Sequence, residues 1–153
     1  MMIEGVVLKK LETHFDERGF FREILRVTDE CFQEGFGQLS HSYMNPGVIK
    51  AWHVHSQQTD WWYVSNGVLR VVLYDTRRSS STHKKRVDIL MGDEQDAQVL
   101  KIPPGVAHGC KCINGQANLF YVTSHTYNPE DEGRIPHDDP EIGYDWIRDR
   151  LSR

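Results

Sequence analysis

The 153-residue chain has no uninterrupted apolar run approaching the ~20 residues of a membrane span. Its opening, Met1-Met2-Ile3-Glu4-Gly5-Val6-Val7-Leu8-Lys9-Lys10, is broken by Glu4 and closed by charge, so the apolar core of a secretory leader is missing. Cysteine is scarce. Cys31, Cys110 and Cys112 are too few and odd in number for a disulfide framework, and they read as buried free thiols in a reducing cytoplasm. A Cys-x-Cys metal pair is the alternative for Cys110 and Cys112. Basic excess is also absent: 18 Lys and Arg against 22 Asp and Glu leave a formal charge of −4. That balance excludes the electrostatic footprint of a nucleic-acid binder and gives no attraction to an anionic membrane.

Helical periodicity is nearly missing too. The chain is instead rich in short β-branched and aromatic segments, at 3–8, 20–26, 39–44, 48–55, 61–64, 68–74, 86–90, 98–102, 109–113 and 118–126. Only 28–35 suggests a helix, with Thr28 as N-cap and Gly35 at its stop. The expectation is a single all-β domain over 1–153, a sandwich or barrel with one short helix. Ser65-Asn66-Gly67 predicts a hairpin turn, and Asn45-Pro46-Gly47 and Pro103-Pro104-Gly105 predict sharp corners. Residues 77–82 read as an exposed polar loop, and the segment from Tyr127 as an irregular C-terminal arm with Tyr144 and Trp146 as aromatic anchors.

Chemistry concentrates in two places. On a strand, His53 and His55 project to one face, and Asp60 can return a carboxylate toward them. His108 follows the rigid Pro103-Pro104-Gly105 corner. Imidazoles and a carboxylate are the ligands of a catalytic transition metal, so His53, His55, Asp60 and His108 form a chemically complete metal candidate. Packed core histidines are the plain alternative. His14, His41, His83, His125 and His137 read as surface or structural residues.

Gly47, His53, His55, Asp60 and Gly67, then Pro103, Gly105 and His108, resemble the two motifs of the cupin barrels, with Asp60 in a glutamate position and Cys112 in an asparagine position. A second resemblance spans nearly the whole chain. Asp16-Glu17-Arg18-Gly19-Phe20-Phe21-Arg22-Glu23, Gln38, Gly47-Val48-Ile49-Lys50-Ala51-Trp52-His53, Ile102-Pro103-Pro104-Gly105-Val106-Ala107-His108-Gly109, Tyr121, Tyr127-Asn128-Pro129-Glu130-Asp131-Glu132 and Asp139-Pro140-Glu141-Ile142-Gly143-Tyr144-Asp145-Trp146 are similar to the dTDP-4-dehydrorhamnose 3,5-epimerase family.

That resemblance implies a cupin-type jelly roll, a homodimer, and metal-free epimerisation of a 4-keto-6-deoxy nucleotide sugar. It implies His53 as the base and Tyr121 as the acid, with Arg18, Glu23, Gln38, Lys50, His108 and Glu132 contacting substrate. The roles make chemical sense. Inverting a carbon beside a ketone requires a base on one face, an acid on the other and a stabilised enolate between. Three positions depart from the resemblance: the enolate-stabilising lysine falls at Asp60, a glutamine falls at His55, and the aspartate that orients the base falls beyond Arg153. A divalent metal on the histidines and Asp60 would restore the positive charge but would compete for His53. A metal-dependent cupin enzyme and a non-catalytic nucleotide-sugar binder are therefore the two other readings.

Overall fold

The computed structural model describes residues 1–93 and 95–147, and all its regular structure is β. The strands are β1 (Val7–Lys10), β2 (His14–Asp16), β3 (Gly19–Phe21), β4 (Gln38–Met44), β5 (Ile49–His55), β6 (Asp60–Asp75), β7 (Arg86–Gly92), β8 (Gln98–Ile102), β9 (Val106–Thr123) and β10 (Glu132–Arg134). Strands β2 and β3 form a separate hairpin, and the rest pair antiparallel.

Strands β6 and β9, of 16 and 18 residues, run through two layers. In one layer Asp60–Trp62 pairs with β8, which pairs with β1, while the far end of β9 pairs with β4. In the other, Val68–Tyr74 pairs with β7, and the start of β9 pairs with β5, whose free edge takes β10. Two facing layers that share bent strands make the expected jelly roll.

The bend corrects one expectation. Asn66-Gly67 does not turn the chain back; the segments expected at 61–64 and 68–74 are one strand, and those at 109–113 and 118–126 are joined in β9, which ends at Thr123. The register against β9 shifts between Val64 and Asn66, Asn66 and Val68, and Val68 and Leu69, so the site is a bulged corner. A bulge and a tight hairpin both call for positive φ, and Gly67 has φ of 72°. A Cβ there would also lie 2.6 Å from the Ala117 Cα, so the close approach of β9 leaves room only for glycine.

The helix expected at 28–35 is absent. Eight residues fall short of the ~12–15 that sustain a helix by themselves, and Asp29 is drawn elsewhere. Its carboxylate accepts from Lys9 Nζ at 2.6 Å and from the Arg26 amide at 2.7 Å. The segment makes successive turns, Asp29 N to Arg26 O and Phe32 N to Asp29 O, both 3.0 Å. The Cys31 carbonyl then accepts from the Trp61 indole at 2.9 Å.

The loop 77–82 is also less open than expected, because it wraps the fully buried Asp75. That carboxylate accepts from Arg77 Nε at 2.8 Å, Ser80 Oγ at 2.6 Å and Thr82 Oγ1 at 2.7 Å. Although burial pushes its pKa up, these donors hold it far below the ordinary carboxylate value.

Burial on both faces explains why Val71-Val72-Leu73-Tyr74 of β6 is apolar without alternation. Leu69, Val71 and Leu73 point into the barrel with Met44, Leu100, Cys110 and Cys112, while Val72 and Tyr74 pack outward on Trp52, Ile142 and Trp146. The arm is thus pinned by its aromatic residues, as expected, and Lys111 Nζ donates to the Trp146 carbonyl at 3.0 Å. Cys110 and Cys112 are free core thiols, and burial raises Cys110 to about 12.

Candidate active site

An open cleft of about 250 Å³ lies between the layers. Its lining includes Gln38, Lys50, His53, His55, Asp60, His108, Tyr121 and Glu132, so eight of the expected site residues converge. The remaining two do not: Arg18 sits on the exposed β2–β3 hairpin, where its guanidinium is tied to Asp16 at 2.5 Å, and Glu23 is likewise exposed. His14, His41, His83, His125 and His137 are all exposed.

Strand parity accounts for most of the lining. His53 and His55 share a face of β5, and His108 lies opposite His53 in the ladder. Strict alternation would turn Lys50 away from them. The register of β5 against β9 shifts between Lys50 and His53, and both Ala51 and Trp52 pack outward on the second apolar cluster. The extra outward residue reverses the parity and leaves Lys50 at the cleft mouth, where its Nζ donates to Ser42 Oγ at 2.9 Å.

The arm supplies what β5 lacks. Strand β10 pairs with the edge of β5, Glu132 opposite His55 and Arg134 opposite His53. Its position is held by Asp131, whose carboxylate accepts the amides of Ser56 at 2.9 Å, Gln57 at 3.1 Å and Gln58 at 3.1 Å, and the Ser56 hydroxyl. Glu132 Oε1 then lies 3.2 Å from His53 Nδ1. Burial lowers the His53 pKa below its ordinary value, and the Glu132 carboxylate opposes that shift. Glu132 itself is partly buried, which raises its pKa, but the Tyr127 hydroxyl and Arg134 bring it below the ordinary value.

A second group lies deeper. One ligand atom each of His55, Asp60 and His108 falls within 4.8 Å of the others, and His53 is not among them. His108 is 3% exposed and Asp60 4%. Burial depresses the His108 pKa below its ordinary value, against the opposing pull of the Asp60 carboxylate, whose Oδ2 lies 3.9 Å from His108 Nε2. Asp60 accepts from Gln58 Nε2 at 2.8 Å and Trp62 Nε1 at 3.1 Å. The metal candidate of four residues is therefore divided: three stand together, while His53 faces a carboxylate of its own.

Tyr121 faces Trp62 across the β6–β9 ladder, and its hydroxyl has no hydrogen-bond partner among the described residues. Gln58, Trp62, Tyr127 and Asn128 also line the cleft and were missed from sequence. Gln58 and Trp62 flank Asp60 at two-residue spacing, a same-face signal that was available. Tyr127 and Asn128 belong to irregular chain, where no periodicity marks a face.

The chain is 47% identical over 148 residues to the spore coat polysaccharide biosynthesis protein SpsL of Bacillus subtilis, covering 95% of this chain and 97% of that one. Its fold matches the crystal structure of a dTDP sugar isomerase from Desulfovibrio desulfuricans G20 with a TM-score of 0.90 and 30% identity, over 98% and 96% of the two chains. It matches the Legionella pneumophila dTDP-6-deoxy-D-glucose-3,5-epimerase, solved with dTDP-4-keto-L-rhamnose, with a TM-score of 0.86 and 29% identity, over 95% and 80%. The family described as dTDP-4-dehydrorhamnose 3,5-epimerase matches residues 1–153, and the chain belongs to that family.

Proposed function

We infer that this chain epimerises a 4-keto-6-deoxy nucleotide sugar, exchanging a proton at a carbon beside the ketone. The observation that carries this reading is the pairing of His53 with Glu132 inside a cleft that Tyr121 also lines. With Glu132 accepting the Nδ1 proton, His53 presents an unprotonated Nε2, and burial keeps it neutral at pH 7. His53 takes the carbon-bound proton, the electron pair moves onto the carbonyl oxygen, and the Tyr121 hydroxyl returns a proton to the carbon from the opposite face. Solvent then resets the imidazolium and the phenolate.

The nucleotide end of the substrate is placed at the mouth, where Lys50 offers a cation to a diphosphate and Gln38 an amide. Arg18 is on the β2–β3 hairpin and Glu23 just beyond it, and neither lines this cleft, so substrate contacts by them would require a second copy of the chain. The same hairpin leaves Phe15 76%, Phe20 58% and Phe21 64% exposed, an apolar surface suited to a homodimer contact. The free cysteines suit a reducing cytoplasm, where nucleotide sugars are substrates.

Incubating the protein with a dTDP-linked 4-keto-6-deoxy sugar in deuterium oxide is expected to place deuterium at C3 or C5, read by NMR, and His53→Ala to abolish it. Sugar binding by calorimetry with no exchange at either carbon would establish the binder instead. Sedimentation of the wild type against a Phe20→Ser, Phe21→Ser variant tests the homodimer, and a monomeric wild type would refute it.

A further inference from the structure

We propose that His55, Asp60 and His108 form a site for one divalent transition-metal ion, and that His53 stays outside it, free to move a proton. Three observations meet here. First, both histidines are prepared as ligands by the backbone. His108 Nδ1 lies 3.1 Å from the Val106 carbonyl and His55 Nδ1 lies 3.2 Å from the Asp131 carbonyl. A carbonyl only accepts, so each Nδ1 carries the proton and each Nε2 offers its lone pair; that of His108 is otherwise unengaged among the described residues, and that of His55 receives only the Gln58 amide at a long 3.5 Å, a contact that an ion would displace. Metal-binding histidines are typically held this way, by an outer hydrogen bond that sets tautomer and ring orientation.

Second, the buried Asp60 has no lysine or arginine partner among the described residues. Gln58 and Trp62 orient its two oxygens but supply no positive charge. A carboxylate removed from water without a cation is costly, and a metal ion is one of the few things that offsets it. Third, the donor set is right in kind and near in space. Two imidazole nitrogens and one carboxylate oxygen within 4.8 Å leave an open position for a further ligand. Bonds of about 2.0–2.2 Å place ligand atoms roughly 3–4 Å apart, so the group closes on an ion by drawing in about an ångström.

The division between this trio and His53 removes the competition that a four-residue site would impose. His53 Nδ1 is engaged by Glu132, and its ring stacks on that of His108 at a centroid separation of 6.2 Å. Bound at the trio, a divalent cation would supply positive charge beside the oxygen at which enolate charge develops. This role rests on the epimerase reading above; the binding itself does not.

The test is metal binding by the full chain, stripped with chelator and titrated with cobalt(II) alone, read by calorimetry and visible absorption. About one cobalt per chain is expected. His55→Ala and Asp60→Asn should each weaken binding at least tenfold, with circular dichroism confirming the fold, while His53→Ala should stay within about threefold of wild type. Fewer than about 0.1 cobalt per folded wild-type chain would overturn the site, as would affinity unchanged in both His55→Ala and Asp60→Asn. A loss in His53→Ala equal to that in His55→Ala would overturn the division. Absence of deuterium exchange with every sugar, while cobalt follows the expected pattern, would sink the epimerase reading and leave the site standing. Exchange unaffected by chelation would refute the site's part in the reaction.

Discussion

His53 Nδ1 and Glu132 Oε1 stand 3.2 Å apart across the last strand pair of the sheet, β5 with β10. The carboxylate both fixes the ring and favours its protonated form, whereas burial favours the neutral form and dominates. The acid limb of the exchange rate against pH should therefore lie below the ordinary imidazole value of ~6.5. In Glu132→Gln the raising influence is gone, so the limb should move further toward acid while the plateau rate falls roughly 10- to 100-fold. A pH profile of deuterium uptake for both proteins checks this; a limb that moves toward alkali in the variant would contradict it.

Tyr121 and His53 have separable tasks. In Tyr121→Phe the base remains, so deuterium should still wash into the starting sugar. Net inversion should slow by about a hundredfold or more, because no acid serves the other face. NMR resolves the two products in one experiment, and equal loss of exchange and inversion would show that Tyr121 is not the separate acid.

Lys50 reaches the cleft mouth only through the irregularity in β5. Lys50→Ala should raise KM for the nucleotide sugar by about 10- to 100-fold, in line with a lost hydrogen bond to a charged group, and leave kcat within about threefold. Lys50→Arg should recover most of the affinity, and steady-state kinetics at two salt concentrations distinguishes a charge effect from a packing one.

The Asp75 knot is a stability element outside the lining of the cleft. Its folded pKa is depressed, so its contribution is complete above the unfolded carboxylate value of ~3.9 and is lost as pH falls below it. Asp75→Asn breaks a buried pair with Arg77 and should cost about 3 kcal/mol at pH 7. Denaturant unfolding should show that loss at neutral pH and a smaller one near pH 2.

Much of this was legible in the residues. Short β-branched and aromatic segments and the Pro-Gly corners declared an all-β barrel, and His53-x-His55 with His108 declared its interior face. What local pattern could not give was long-range pairing. Asn66-Gly67 carries the same positive-φ signal whether the chain reverses or bulges, and only the approach of Ala117 decides between them. The helix expected at 28–35 competed with the pull of Lys9 on Asp29, a contact across twenty positions. Glu132 was expected to touch substrate, but its pairing with His53 depends on β10 lying against β5. The division of the four metal candidates follows from the same strand, since Asp131 holds His55 while Glu132 holds His53.

The arm that carries Glu132 is joined to the barrel by a three-residue strand, the Asp131 clamp and the Trp146 cluster. The Ile135–Trp52 backbone pair, Arg86 on the Ile142 and Gly143 carbonyls and Tyr144 on Asp88 add to these, but among the described residues the arm's ladder is three residues long beside that of β6 with β9. Local opening of a segment at the edge of a sheet takes less free energy than melting the whole domain. Proton transfer should consequently fail at a lower temperature than the barrel does, so that warming yields an intact, catalytically silent fold whose activity returns on cooling.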